Sequence, residues 1–169
     1  SAQADTAGYA YFPGLDATDG AGVEGDVWID NSANSYAQLA SGEYGLSTLV
    51  HETGHALGLK HPGDYGGSGI PPFLPTAEDT LQYSVMSYND RTDALCVTIT
   101  ETPTHYLAHY NPIYPDASSL YDVAALQSMY GANTDFAAGD NSYTFSNSPF
   151  FKTIWDGGGT DTIDVSGLA

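Results

Sequence analysis

The stretch His51-Glu52-Thr53-Gly54-His55-Ala56-Leu57-Gly58-Leu59-Lys60-His61 decides how the rest of the chain is read. Two histidines four residues apart lie on one face of a helix, about one turn from each other, so both imidazoles can reach one ion. A catalytic zinc needs three protein ligands and an exchangeable position, so a third donor is required. His61 supplies it, because Gly58 can take φ > 0 and turn the chain sharply out of the helix, while Lys60 projects away. Glu52 faces the open coordination side. A metal there would lower the pKa of a bound water, and Glu52 could take its proton and later hand it to a leaving amine. Two histidines on a helix can also be ordinary satisfied side chains; the glycine and third histidine at this spacing make an accident rare.

Around this motif apolar residues recur at Leu46, Leu49, Val50 and Leu57, which predicts a helix from Tyr44 to Leu57 with these on its apolar face. Upstream, Tyr9–Gly14 and Gly25–Asp30 read as two short strands separated by an Asp/Gly-rich loop. Downstream, His61 to Pro75 is rich in glycine and proline and reads as an irregular loop. Leu81 to Tyr88 turns apolar, and Arg91 to Pro115 mixes β-branched residues with three prolines and takes no assignment. Ser119, with Asp122 three residues on, starts a second helix whose apolar face is Leu120, Val123, Ala124 and Leu126 and whose stop is Gly131.

Composition bounds the function. Three basic residues stand against 21 acidic ones, a net charge of −18, which excludes phosphate backbones and anionic membranes as natural partners. The acidity serves solubility, or some carboxylates bind a hard cation such as calcium. No stretch approaches the ~20 apolar residues that span a bilayer, and Ser1 onward lacks a signal-peptide pattern, so the chain reads as processed or excerpted. Cys96 is the only cysteine, which excludes an internal disulfide and reads as a small buried hydrophobe. His105 and His109 read as structural or exposed. Asp156-Gly157-Gly158-Gly159-Thr160-Asp161-Thr162-Ile163-Asp164 is close to one turn of the GGxGxDxUx repeat that winds a calcium-binding β-roll, with Asp161 as a carboxylate ligand. A flexible glycine-rich linker is the alternative.

The chain resembles the metzincin family. Pro62, in His61-Pro62-Gly63-Asp64-Tyr65, looks like its serralysin branch, and Ser84-Val85-Met86-Ser87-Tyr88 matches the serralysin Met-turn. The resemblance continues through Glu78-Asp79-Thr80, the helix Leu120 to Tyr130 with Gly131-Ala132-Asn133, and Trp155 to Leu168. It implies that Met86 forms an apolar floor beneath the histidines, and that Tyr88 binds the metal as an extra ligand or swings away to stabilise the oxyanion. It implies a calcium ion shared by the carbonyls of Ala137, Gly139 and Gly158 with Asn141, Asp156 and Asp161. It also implies that the family's sheet begins before Tyr9 and its β-roll continues past Ala169, so a complementary N-terminal fragment is expected.

The expected fold is α+β and zincin-like: a twisted mixed sheet packed on the zinc helix in residues 1–135, leading into the start of a calcium-binding parallel β-roll in 136–169. The expected function is a secreted, extracellular, monomeric zinc endopeptidase that hydrolyses internal bonds of protein or peptide substrates with broad specificity, with Glu52 and Tyr88 as catalytic residues and bacterial type I export implied by the resemblance. Two readings compete. One is a non-catalytic binding module on the same scaffold, against which the intact Glu52 argues; the other is a calcium-ordered structural fragment, which would need more repeats than one turn.

Overall fold

The computed structural model of the chain describes residues 6–14, 22–30, 39–67, 69–91, 95–145, 147 and 151–168. The Asp/Gly-rich loop expected between the first two strands lies largely outside the described residues. Strands β1 (Gly8–Ala10) and β2 (Val27–Ile29) pair antiparallel, with Tyr9 opposite Trp28, and those two rings stack at 6.2 Å. Helix α1 (Tyr44–Ala56) packs against both strands. The sheet on this helix is therefore two-stranded and antiparallel among the described residues, smaller than the expected mixed sheet.

The burial of α1 differs from its apolar pattern. Leu49 and Leu57 are exposed, whereas Gly45, Ser47, His51, Glu52, Gly54 and His55 are buried. The face carrying the reactive side chains is the face that packs, since β1 and the turns around Val85 close over it.

The stretch without an assignment forms a long antiparallel hairpin, β3 (Leu95–Glu101) and β4 (Tyr106–Pro112). Its β-branched residues favour extended backbone, and the reversal is fixed by Thr102, whose N–H bonds the His105 carbonyl at 2.8 Å. Cys96 is half-buried on β3 and unpaired, not a core residue; His105 and His109 are exposed.

Helix α2 (Leu120–Tyr130) starts at Ser119, whose N–H donates to Asp122 Oδ2 at 2.8 Å. Its inward side is Asp122, Ala125 and Leu126, while Leu120 is 52% exposed, so the predicted apolar face is rotated. Ala125, Leu126 and Val50 of α1 pack on the central cluster of Leu59, Val85 and Met86. Leu81 to Tyr88 is a run of turns, and residues 81 and 84–87 are buried. Strands β5 (Ser142–Thr144) and β6 (Thr162–Asp164) pair parallel. The described chain is thus mixed α/β, with three two-stranded sheets and two helices. No helix in it is long and apolar enough to cross a membrane.

Candidate metal centre

The end of α1 determines where the third histidine goes. Gly58 has φ +95°, its N–H bonds the His55 carbonyl at 2.9 Å, and the Leu59 N–H bonds the Gly54 carbonyl at 2.9 Å. This pair of bonds is the Schellman closure, which needs a residue with positive φ at the position of Gly58. It drives Leu59 into the core and brings the chain back so that His61 faces the helix it has just left. Lys60 turns outward, donating to the carbonyls of Ile70 and Pro72.

His51 Nδ1 lies 2.8 Å from the Val85 carbonyl and His55 Nδ1 lies 2.8 Å from the Leu59 carbonyl. A carbonyl only accepts, so each Nδ1 carries the proton and each Nε2 presents a lone pair. His61 Nε2 is 3.2 Å from that of His51 and 3.1 Å from that of His55. Tetrahedral ligands at a Zn–N distance of about 2.0–2.1 Å stand roughly 3.3 Å apart. Three nitrogens with at most one proton among them repel unless a cation lies between, so the donor set fits a divalent ion. They are the residues that group as a metal-binding cluster among those described. Burial pushes His51 and His61 down to about 4, and lowers His55, which keeps the ligands neutral near pH 7.

Glu52 is buried between α1 and β1, and burial pushes its carboxyl up to about 7. A Cβ on Gly8 would stand 3.0 Å from Glu52 Cγ, so β1 approaches this side chain closely because position 8 is glycine. Glu52, His51, Thr48 and Tyr88 open onto one cavity of about 430 Å³. Met86 packs against α1 at Gly54, with its Sδ 2.4 Å from where a Cβ on Gly54 would be. It is 1% exposed. Tyr88 is 61% exposed, its ring 4.4 Å from that of His61 and 5.5 Å from that of His51. It also stacks on Tyr65 at 4.7 Å. Tyr65 in turn bonds Asp79 and Ser87, and Ser87 and Asn89 both donate to Asp79.

The loop after α2 and the segment before β6 also meet. Asn141 N–H donates to Asp161 Oδ1 at 2.9 Å, and its side-chain amide reaches the carbonyls of Ala137, at 2.8 Å, and Gly139. Asp156 accepts from Gly158 N–H at 2.9 Å and from the Tyr143 hydroxyl. A Cβ on Gly157 or Gly159 would strike the backbone of residues 134–140, at 2.2 Å from the Thr134 carbonyl and 2.4 Å from the Gly139 carbonyl. Glycine is thus required for the close approach.

Asp122, Asp79, Gly8 and Gly54 carry functions that the sequence did not disclose. Asp122 was legible only as a helix start, and Asp79 only as part of a family-like triplet. Nothing local marks either as a support for the site.

The helix and its reversal define a class first, a three-histidine metal centre with a carboxylate beside it. The chain belongs to the serralysin-type metalloproteases. It is 37% identical over 168 residues to serralysin of Proteus mirabilis, covering 88% of this chain and 31% of that protein. It is 38% identical over 180 residues to serralysin C of Dickeya chrysanthemi (97% and 34%), and 36% identical over 187 residues to metallopeptidase AprA of Pseudomonas marginalis (99% and 36%). The chain spans about one third of the length of these relatives. No family model matches it.

Proposed function

We propose that this chain carries the catalytic centre of a zinc-dependent endopeptidase that hydrolyses internal peptide bonds of protein substrates with broad tolerance of sequence. The observation that carries this reading is the convergence of the Nε2 atoms of His51, His55 and His61, with that of His61 3.2 and 3.1 Å from the other two, beside the buried Glu52. Zinc held by His51, His55 and His61 would supply Lewis acidity, acidifying a water and polarising the scissile carbonyl.

Glu52 takes the proton of the attacking water and delivers it to the leaving amine, so its carboxyl must ionise and reprotonate within one turnover. A carboxyl with a pKa near neutrality does both, which is what its burial favours. Tyr88 is 61% exposed and its ring lies against those of His51 and His61, and its hydroxyl stabilises the oxyanion or serves as an additional metal ligand in the resting site. Met86 gives the imidazoles an apolar floor.

In the same reading residues 1–135 form the catalytic unit, and residues 136–169 begin a calcium-binding β-roll. The carbonyls of Ala137, Gly139 and Gly158, with Asn141, Asp156 and Asp161, are the calcium ligands. The protein is secreted, extracellular and monomeric, exported by a type I route as its kinship implies, and a further N-terminal segment of the same protein completes the substrate-binding sheet.

Glu52→Gln tests the reaction. The variant should retain one zinc per chain by metal analysis while casein hydrolysis falls by about 10²–10⁴-fold, the usual contribution of a general base. Undiminished turnover in this variant overturns the assignment, as does folded protein that binds no zinc.

A further inference from the structure

The hairpin of β3 and β4 stands apart from the rest of the fold. Its strands pair with each other from Leu95 opposite Pro112 to Glu101 opposite Tyr106, and no other helix or strand makes a substantial contact with them among the described residues. Each strand has one neighbour, and no backbone hydrogen bond runs from either to another segment of the described chain, so both outer edges are unpaired. Residues directly opposite in an antiparallel pair share a face. One face therefore carries Leu95, Val97, Ile99, Tyr106, Ala108 and Tyr110, and the other carries Cys96, Thr98 and Thr100 with their partners. The apolar face is open to solvent, with Ile99 66% and Tyr110 65% exposed. Glu101 is the single Asp, Glu, Lys or Arg from Leu95 to Pro112, in a chain with 21 acidic residues.

An apolar sheet face with open edges is a template for another extended strand. The occupant follows from place, size and charge. The hairpin is rooted at the cleft beside Glu52: β3 begins five residues after Asp90 and β4 ends two residues before Tyr114, and both of these line the cavity. A polypeptide held in the cleft has the root of the hairpin at its side. Two strands of this length, at about 3.3 Å per residue and about 4.8 Å apart, present a face of roughly 200 Å². A stable protein–protein interface needs about 800 Å² from each partner, so the face is too small to hold a second copy. A second copy would also bring its own net charge of −18 against this one. A single extended segment fits the area and meets almost no charge on the hairpin.

We propose that the hairpin is a docking arm for polypeptide substrates outside the cleft, where an apolar stretch of an unfolded chain pairs with an open edge and continues the face of Val97, Ile99 and Tyr110. The proposal rests on the peptidase reading. Main-chain pairing asks for no particular sequence, so the arm favours unfolded, strand-forming protein over short peptides and does not select the residue at the cut bond.

The test compares two substrates of the zinc-loaded chain: casein, which lacks a stable fold, and a fluorogenic octapeptide, too short to occupy the cleft and the arm together. The double variant Val97→Thr, Ile99→Thr removes apolar surface while keeping β-branched strand formers. It should raise KM for casein by about fivefold to twentyfold, the loss of two partly covered apolar side chains. The kcat for casein and the kcat/KM for the octapeptide should not change. Tyr110→Thr on the facing strand should act in the same direction, which separates a lost surface from a misfolded strand. A casein KM that neither variant moves overturns the proposal, as does an equal loss of activity on the octapeptide. A dimer in sedimentation that the variants dissolve also overturns it, since the face would then join two copies. Binding of labelled casein to the Glu52→Gln chain, followed by fluorescence anisotropy, separates the arm from the reaction. If neither substrate is cleaved but the threonine variants still weaken casein binding, the peptidase reading fails and the docking arm stands. If both are cleaved and casein binds the variants as tightly as the parent, the arm fails and the peptidase reading stands.

Discussion

Val85 joins the second helix to the metal site through its own peptide groups: its N–H donates to Asp122 Oδ2 at 2.7 Å, and its carbonyl accepts from His51 Nδ1 at 2.8 Å. Asp122 also accepts from the Ser84 hydroxyl at 2.6 Å and the Ser119 N–H at 2.8 Å, and is 3% exposed. One buried carboxylate thus fixes the turn that fixes the tautomer of a ligand. Asp122→Ala leaves buried donors at Val85 and Ser119 without partners, which should cost about 3 kcal/mol or more in chemical denaturation. Because supports of metal ligands carry about 10–100-fold in affinity, zinc binding by competition with a chelator should weaken by a similar factor. Unchanged zinc affinity would show that Val85 holds its place without Asp122.

Gly54 lies where α1 passes closest to Met86. Alanine there gains about 1 kcal/mol of helix propensity but places its Cβ 2.4 Å from the Sδ of Met86, which is 1% exposed and must shift to admit it. Overpacking of a closed core costs about 1–3 kcal/mol, so Gly54→Ala should destabilise the protein. The same change made in a Met86→Ala background should be neutral or stabilising. A double-mutant cycle read by thermal or urea unfolding checks this, and a favourable effect in both backgrounds would contradict the close contact.

The metal-free protein should lose stability as pH falls from about 6.5 toward 4. His51 and His61 titrate at about 4 when folded against 6.5 when unfolded, so across that window the unfolded chain binds more protons, and stability rises with pH. Glu52 acts oppositely. Its carboxyl moves from 4.5 to about 7 on folding, so the stability it contributes is present below pH 4.5 and is lost as pH rises to 7. Two depressed histidines outweigh one raised glutamate below about pH 6.5, and the slope should flatten near 7. Urea midpoints of the metal-free chain between pH 4.5 and 7.5 measure the curve. In Glu52→Gln the opposing contribution is gone and the rise should be steeper.

Calcium should order the C-terminal segment. Adding it to the chelated full chain should raise the unfolding midpoint of that region and slow amide exchange around β5 and β6, whereas Asp161→Ala should abolish the response. Magnesium, which demands a stricter octahedron and sheds water reluctantly, should act weakly. A calcium response identical in Asp161→Ala and the parent chain would refute the ligand set.

The three-histidine cluster was legible in the linear chain because every part of it is local. His51 and His55 share a helix face by period alone, and Gly58 and His61 follow within one reversal, so no distant contact is needed to bring the donors together. The helices were legible in the same way, since their boundaries rest on capping residues such as Ser119 with Asp122 and on Gly58 and Gly131 as stops. What faces inward was not. The period of α1 favoured Leu49 and Leu57, but the packed side carries Ser47, His51, Glu52 and His55, because β1 and the turn at Val85 cover it. Periodicity reports which residues share a face, and only the neighbours decide which face is buried.

The sequence by itself determined the helix that carries His51, Glu52 and His55 and the reversal that returns His61 to it, since spacing and one glycine suffice to assemble groups ten residues apart. The tertiary structure alone decided which carbonyls hold the imidazoles, why Gly8 and Gly54 must lack side chains, and how Asp122 supports Val85. It also decided that the arm from Leu95 to Pro112 is a hairpin. These are contacts between segments far apart in the chain, and their distances arise from packing, which no local pattern encodes.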